Sequence, residues 1–351
     1  MLAGFGSLLN PVHSLPRIEE RIIMKSTTKS PETQVLADIH PKTGELVPWQ
    51  RKKKESLKMA ASCRRIEKID PTFKFRAAQL EQCGNYLEFH RAVKSGDRTL
   101  SRANFCKYRL CPMCSWRRSL KIFGQASQVM EEAEKQGYRF IFVTLTMKNC
   151  QGVDLGSELT KLYAGTLALL RRKRYKKAIH GWMRVLEVTH NVKIYDKSFD
   201  TYHPHVHMIW AVKGNYFKKA QWISQADLTD DWRKTMKLDY KPRVDIRAVK
   251  KRDKGAIKEV SKYAVKPGEI LVQDRDLTDS AVWTLDQALE KRRMVSWGVV
   301  LKAIKAKLNL DDAENGDLVN TDSEQPLNPE LEYVVEKYKW NVGMGWHQRI
   351  E

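Results

Sequence analysis

Three histidines at alternate positions, His203, His205 and His207, lie in the run Tyr202-His-Pro-His-Val-His-Met-Ile-Trp-Ala-Val212. The residues after Pro204 are apolar and β-prone, which reads as a buried strand. Side chains two apart on a strand share a face. His205 and His207 therefore present two imidazoles side by side, a geometry for gripping a divalent metal. The chain has only 9 histidines, so this concentration is not compositional. A histidine-rich edge strand with satisfied hydrogen bonds is the structural alternative. The neighbouring strand offers a third ligand, because Glu187 is the only acid between Gly181 and Tyr195. A carboxylate among Val185, Leu186 and Val188 is costly to bury unless it is paired or metal-bound. Strand parity alone leaves open that Glu187 faces outward. Two imidazoles and a carboxylate with open positions suit Mn2+ or Mg2+ acting on phosphate as a Lewis acid.

A second cluster is Cys106-Lys-Tyr-Arg-Leu-Cys111-Pro-Met-Cys114, three of the 6 cysteines. Without a secretory signal, such spacing argues for metal rather than disulfides. Structural Zn2+ takes four ligands. Cys83, followed by Gly84, is the favoured fourth, with His90 and Cys63 as alternatives, and Cys150 stands apart. The zinc would hold a basic loop carrying Lys107, Arg109, Arg117 and Arg118 against DNA. A third candidate is the segment Lys254 to Lys266, which reads as a helix. It places Glu259 and Tyr263 four apart on one face, with Lys262 and Lys266 flanking the tyrosine. Nearby cations favour a phenolate, a tyrosine is able to form a covalent intermediate, and a carboxylate one turn away is able to act as a base on water. By itself this segment also reads as a half-buried tyrosine beside a surface Glu–Lys pair.

Elements that position these residues follow from periodicity. A helix is expected over Arg117–Gln136, stopped at Gly137, then a strand over Arg139–Lys148. Ser157 is expected to cap a helix over Glu158–Ala178, which ends in the basic cluster Arg171, Arg172, Lys173 and Arg174, a further DNA contact. Strands follow at Trp182–Thr189 and through the histidines, a helix at Phe217–Lys237, a strand at Arg243–Val249 and the Tyr263 helix, closed by Pro267-Gly268. This order implies an α+β fold, an antiparallel sheet with helices on one side. Residues 1–50 read as a flexible leader and 51–118 as a basic, Cys-rich zinc-binding segment. Residues 119–270 read as the domain that carries the histidine strand and the Tyr263 helix, and 271–351 as a helical and linker region with an aromatic tail, whose stretch 310–330 is an acidic linker.

The chain of 351 residues has 63 Lys and Arg against 42 acids, a net charge of +21. That excess calls for a polyanionic partner, most simply nucleic acid. No apolar run reaches the length of a membrane span, no signal peptide is read at the N-terminus, and a reducing cytoplasm is the expected compartment. No Walker-type sequence is present.

Taken together, the chain resembles the rolling-circle replication initiators (Rep) of small Gram-positive bacterial plasmids, within the HUH endonucleases. The resemblance covers roughly Cys83 to Glu269. It is carried by Phe142-Val-Thr-Leu-Thr-Met-Lys-Asn149, His203-Pro-His-Val-His-Met208 and Glu259-Val-Ser-Lys-Tyr-Ala-Val-Lys266, with the Cys106–Arg118 segment upstream. It implies an HUH-type antiparallel sheet of about five strands flanked by helices, with the metal site at its centre. It implies His205 and His207 as metal ligands and Tyr263 as the residue that attacks the scissile phosphate, leaving a 5′-phosphotyrosyl link and a free 3′-OH. It also implies Glu259 as the residue that activates water in the terminating cleavage. Expected partners are the plasmid double-strand origin, with its hairpin or single-stranded nick site, and the host helicase and DNA polymerase; a homodimer is a candidate arrangement. A related HUH transposase or relaxase, and a non-catalytic zinc-containing DNA-binding regulator, are the competing readings.

Overall fold

The strand of histidines is the central strand of a five-stranded sheet. The computed structural model describes residues 35–41, 43–218, 221–250, 255–261, 266–322 and 327–350. In chain order these form α1 (Trp49–Ile66), α2 (Phe73–Gln82), β1 (Tyr86–Ala92), β2 (Arg98–Ala103) and α3 (Pro112–Lys135). Then come β3 (Tyr138–Thr146), α4 (Gly152–Arg171), α5 (Lys173–Ala178), β4 (Gly181–Asn191), β5 (Thr201–Lys213) and α6 (Gln225–Met236). β6 (Val244–Ala248), α7 (Gly255–Val260), α8 (Arg275–Leu289), β7 (Val295–Gly298), α9 (Val299–Lys307), β8 (Tyr333–Asn341) and β9 (Trp346–Arg349) complete the order. Two compact units result, one of residues 125–316 and one of residues 1–124 with 317–351.

The unit of residues 125–316 holds an antiparallel sheet in the order β6-β3-β5-β4-β7. This is the α+β architecture with about five antiparallel strands that the family resemblance implies. β5 is central, and residues of both parities are buried along it: Val206, Met208 and Trp210 on one face, Ile209 and Ala211 on the other. Both faces therefore need cover. Tyr175 of α5 meets the Trp210 ring edge-on with centroids 5.9 Å apart, whereas Glu259 of α7 approaches His207, on the opposite face. Helices thus lie on both sides of the sheet, which corrects the one-sided arrangement. α4 and α6 pack closely where α4 has Gly165, since a Cβ there would lie 1.9 Å from the sulfur of Met236.

Several boundaries move for local reasons. The helix expected from Ser157 begins at Gly152, and the Ser157 hydroxyl donates to the Asp154 carbonyl inside it. It breaks at Arg172, whose backbone is extended, so Arg171 ends one helix and Lys173 starts another. The helix expected from Phe217 starts only at Gln225, because Ser224 forms a capping box with Asp227. The acidic stretch 310–330 is no free linker in its described part. Glu314 is 3% exposed and accepts from the backbone N–H groups of Met294 and Val295.

The other unit holds a four-stranded antiparallel sheet in the order β2-β1-β8-β9. The aromatic tail supplies β8 and β9, and Phe89 and Tyr338 meet edge-on in its core. Residues 35–50, expected to belong to a flexible leader, are tied in. Leu36 N–H donates to His347 O, and the Trp49 indole donates to Asp38. Residues 1–34 lie outside the described residues.

Candidate metal centres and nucleic-acid interface

Antiparallel register decides which side chains meet on the central sheet. Glu187 of β4 stands opposite His205 of β5, and Val185 opposite His207. Paired residues share a face, so Glu187 points to the histidine side and not outward. Its Oε2 lies 2.9 Å from His207 Nε2 and 3.3 Å from His205 Nε2. All three residues are buried, and their donor atoms lie within 4.8 Å of one another. The second nitrogen of each ring is engaged as well. His205 Nδ1 is 3.2 Å from the His203 carbonyl, and His207 Nδ1 is 3.0 Å from Thr144 Oγ1. A carbonyl only accepts, so that contact suits the tautomer with a proton on His205 Nδ1, the form in which Nε2 is available to a metal. The two distances from Glu187 Oε2 match an octahedron edge of about 3 Å, built on bonds of about 2.1 Å.

Burial alone would push the Glu187 carboxyl up. The two imidazoles and the Lys266 ammonium outweigh it and hold the group well below the usual carboxylate range. Lys266, expected beside the tyrosine, places Nζ 2.7 Å from Glu187 Oε1. Glu259, half-buried on α7, reaches within 3.9 Å of His207 Nε2. His203 stacks on His205 but is not among the converging ligand atoms. Burial pushes the His203 ring down to about 4. Tyr263 and Lys262 lie outside the described residues.

The four cysteines Cys83, Cys106, Cys111 and Cys114 converge in the other unit, whereas His90 and Cys63 are not part of the group. Sulfur separations are 3.5 Å for Cys83–Cys114, 3.5 Å for Cys83–Cys111 and 3.7 Å for Cys106–Cys114. A zinc tetrahedron with bonds of about 2.3 Å has edges of about 3.8 Å. These separations are too long for a disulfide. α2 ends at Gln82, just before Cys83, and α3 starts at Pro112, so Cys83, Cys111 and Cys114 sit at helix ends, with Cys106 on the loop from β2 into α3. Two neighbours had no sequence signal. Ser56 Oγ lies 3.5 Å from Cys111 Sγ, and Lys53 Nζ donates to the carbonyls of Glu81 and Cys83. Burial lowers the Lys53 ammonium to about 8 against the opposing pull of the thiols.

We expect one zinc per chain in protein purified without added metal, and its loss in Cys111→Ser, measured by elemental analysis. Active protein that carries no zinc would exclude the site.

The basic residues divide. Arg117 and Arg118 are each 2% exposed. Arg117 donates to the carbonyls of Leu318 and Val319, and Arg118 to those of Lys107 and Tyr108. Both are ties that shape the loop, which corrects their expected place against DNA. Arg172 pairs with Asp231 and Arg174 with Asp227. Arg171, Lys173 and Lys107 are exposed, and Arg109 is partly so.

A family model described as a replication protein matches residues 97–346. The chain belongs to this replication-protein (Rep) family. It is 38% identical over 325 residues to a "Protein rep" of Bacillus amyloliquefaciens, covering 86% of this chain and 94% of that one. It is 38% identical over 287 residues to a "Protein rep" of Streptococcus pneumoniae, covering 80% and 85%. To a "Protein rep" of Lactiplantibacillus plantarum it is 35% identical over 314 residues, covering 85% and 94%. No solved structure matches. The matched span of this Rep family member contains the histidine strand, Glu187, Glu259 and three of the four clustered cysteines. Among its described residues no helix is long and apolar enough to cross a membrane.

Proposed function

We propose that this Rep protein is the initiator of plasmid rolling-circle replication, an origin-specific single-strand DNA endonuclease and strand transferase. The observation that carries the reading is the convergence of Glu187 Oε2 with both imidazole Nε2 atoms at the middle of the sheet, with Glu259 beside them. His205, His207 and Glu187 would hold a Mn2+ or Mg2+ ion, which, when bound, neutralises and orients the anionic scissile phosphate. Tyr263 supplies the nucleophile. Its phenolic oxygen forms a bond to phosphorus while the bond from phosphorus to the 3′ oxygen breaks. The phenolic proton leaves with the forming bond, and the departing oxygen takes up a proton to become the 3′-OH that a polymerase extends. The phosphotyrosyl ester keeps the bond energy for rejoining. Tyr263 is three residues before Lys266 in the chain, and Lys266 touches Glu187. In the terminating cleavage Glu259 takes a proton from water. The Cys83, Cys106, Cys111 and Cys114 set holds Zn2+ as a structural tie. Lys107, Arg109, Arg171 and Lys173 contribute to the DNA-facing charge, and host helicase and polymerase complete replication.

The test is incubation of the full-length protein with a supercoiled origin plasmid and Mn2+. Open circles with covalently attached protein are expected. Tyr263→Phe should abolish nicking and adduct while origin binding stays nearly intact, because most affinity comes from charge on other surfaces. A mobility shift without nicking would favour a DNA-binding regulator. Normal nicking by the Phe variant would remove Tyr263 from the chemistry.

A further inference from the structure

The two oxygens of Glu187 have different neighbours. Oε2 faces the imidazoles, at 2.9 Å from His207 Nε2 and 3.3 Å from His205 Nε2. Oε1 faces away from them and takes the Lys266 ammonium at 2.7 Å. Lys266 also reaches Glu269 Oε1 at 3.3 Å. The mount of this lysine is built into the sheet. Lys266 leads directly into a 3-10 turn at Pro267–Glu269. The Glu269 carbonyl lies 3.1 Å from Nδ1 of His190, the buried penultimate residue of β4. His190 Nε2 is in turn 2.9 Å from Asp200 Oδ1, and its ring stacks on Tyr202 at 4.6 Å. The ammonium is therefore held by a chain of contacts that starts on the same strand as Glu187.

A carboxylate chelates a cation only when both of its oxygens turn to that cation. Here one oxygen is already engaged on the far side. We propose that Lys266 is a positioning residue that limits Glu187 to ligation through Oε2 alone, and that it thereby makes the site select small octahedral ions over Ca2+. This rests on the metal reading above. Ca2+ takes six to eight oxygens and commonly a two-oxygen carboxylate, whereas Mg2+ and its like accept single-oxygen carboxylates in a six-fold shell. Single-oxygen ligation leaves the remaining positions for water and phosphate oxygens.

Calorimetric titration of the full-length protein with Mn2+ and with Ca2+, without DNA, tests this. Loss of the lysine's charge alone should raise affinity for both ions alike. Loss of its grip on Oε1 should favour Ca2+ in particular. We expect Lys266→Met to improve Ca2+ binding relative to Mn2+ by about tenfold or more. Lys266→Arg keeps a cation on Oε1 and should leave the ratio near that of the wild type. Should the methionine variant fail to fold, Lys266→Gln, with a weaker single donor, is expected to shift the ratio in the same direction. Equal changes for both ions in Lys266→Met or Lys266→Gln would overturn the selectivity role while leaving the metal site standing. A wild type with no Mn2+ binding sensitive to His205→Ala would instead overturn the site, and this inference with it.

Discussion

His207→Ala is expected to lower metal-dependent nicking by about three orders of magnitude while leaving origin binding within a few fold. His207 is doubly placed: Nε2 faces Glu187 at 2.9 Å, and Nδ1 meets Thr144 Oγ1 at 3.0 Å. The ring also lies against Phe142, so its plane is set by packing as well as by hydrogen bonds. Removing it takes away one of the three proposed ligands and leaves a buried carboxylate with less to compensate it. Lewis-acid stabilisation of a phosphoryl group is worth several kcal/mol, and each 1.4 kcal/mol is about tenfold in rate, which gives the magnitude. His205→Ala should behave alike. Glu187→Ala should weaken nicking most at limiting Mn2+, since it removes the only charged ligand. The measurement is the initial rate of open-circle formation across a Mn2+ titration, with binding followed separately by mobility shift. Wild-type rates for His207→Ala at limiting Mn2+ would show that the cluster is a structural polar core. Wild-type rates for Glu187→Ala would pass the third position to water or another residue.

The second large effect concerns the product of the reaction. Glu259 Oε1 lies 3.9 Å from His207 Nε2, so a carboxylate stands beside the site where the phosphate would be held. Were Glu259 only a partner of that imidazole, Glu259→Ala would cost about 1 kcal/mol or less and leave the reaction course unchanged. As the base that activates water, it is needed only in the terminating cleavage. The alanine variant should then still nick, because Tyr263 and the ligand set remain. It should release the phosphotyrosyl end by hydrolysis about 100-fold or more slowly. Glu259→Tyr should redirect termination towards a second transesterification. The fate of the 5′ end on a single-stranded origin oligonucleotide reads this directly. Equal hydrolysis by wild type and Glu259→Ala would return Glu259 to a structural role.

What could be read along the chain was whatever depends on short-range periodicity. The alternation His203, His205, His207 defines a common face because a strand repeats every two residues. The Cys106, Cys111 and Cys114 spacing defines a thiolate cluster because a turn brings such neighbours together. The order of strands and helices around them gave the α+β class, and the family resemblance implied the sheet of about five strands. What only the tertiary structure decided depends on pairing between distant segments. Glu187 faces the histidines because β4 and β5 pair with Glu187 opposite His205, and a slip of one residue would have turned it outward. β1 pairs with β8, which joins residues 86–92 to 333–341, and no local pattern carries such a partnership. Arg117 and Arg118 looked like surface charge because composition does not report burial; their guanidinium groups are taken by carbonyls of the loop and of the returning C-terminal segment. Lys266 likewise showed only its charge in sequence. Its hold on the far oxygen of Glu187 exists because the turn after it is fastened to β4. Local periodicity thus determined which residues share a face, and long-range register and burial decided which of them meet.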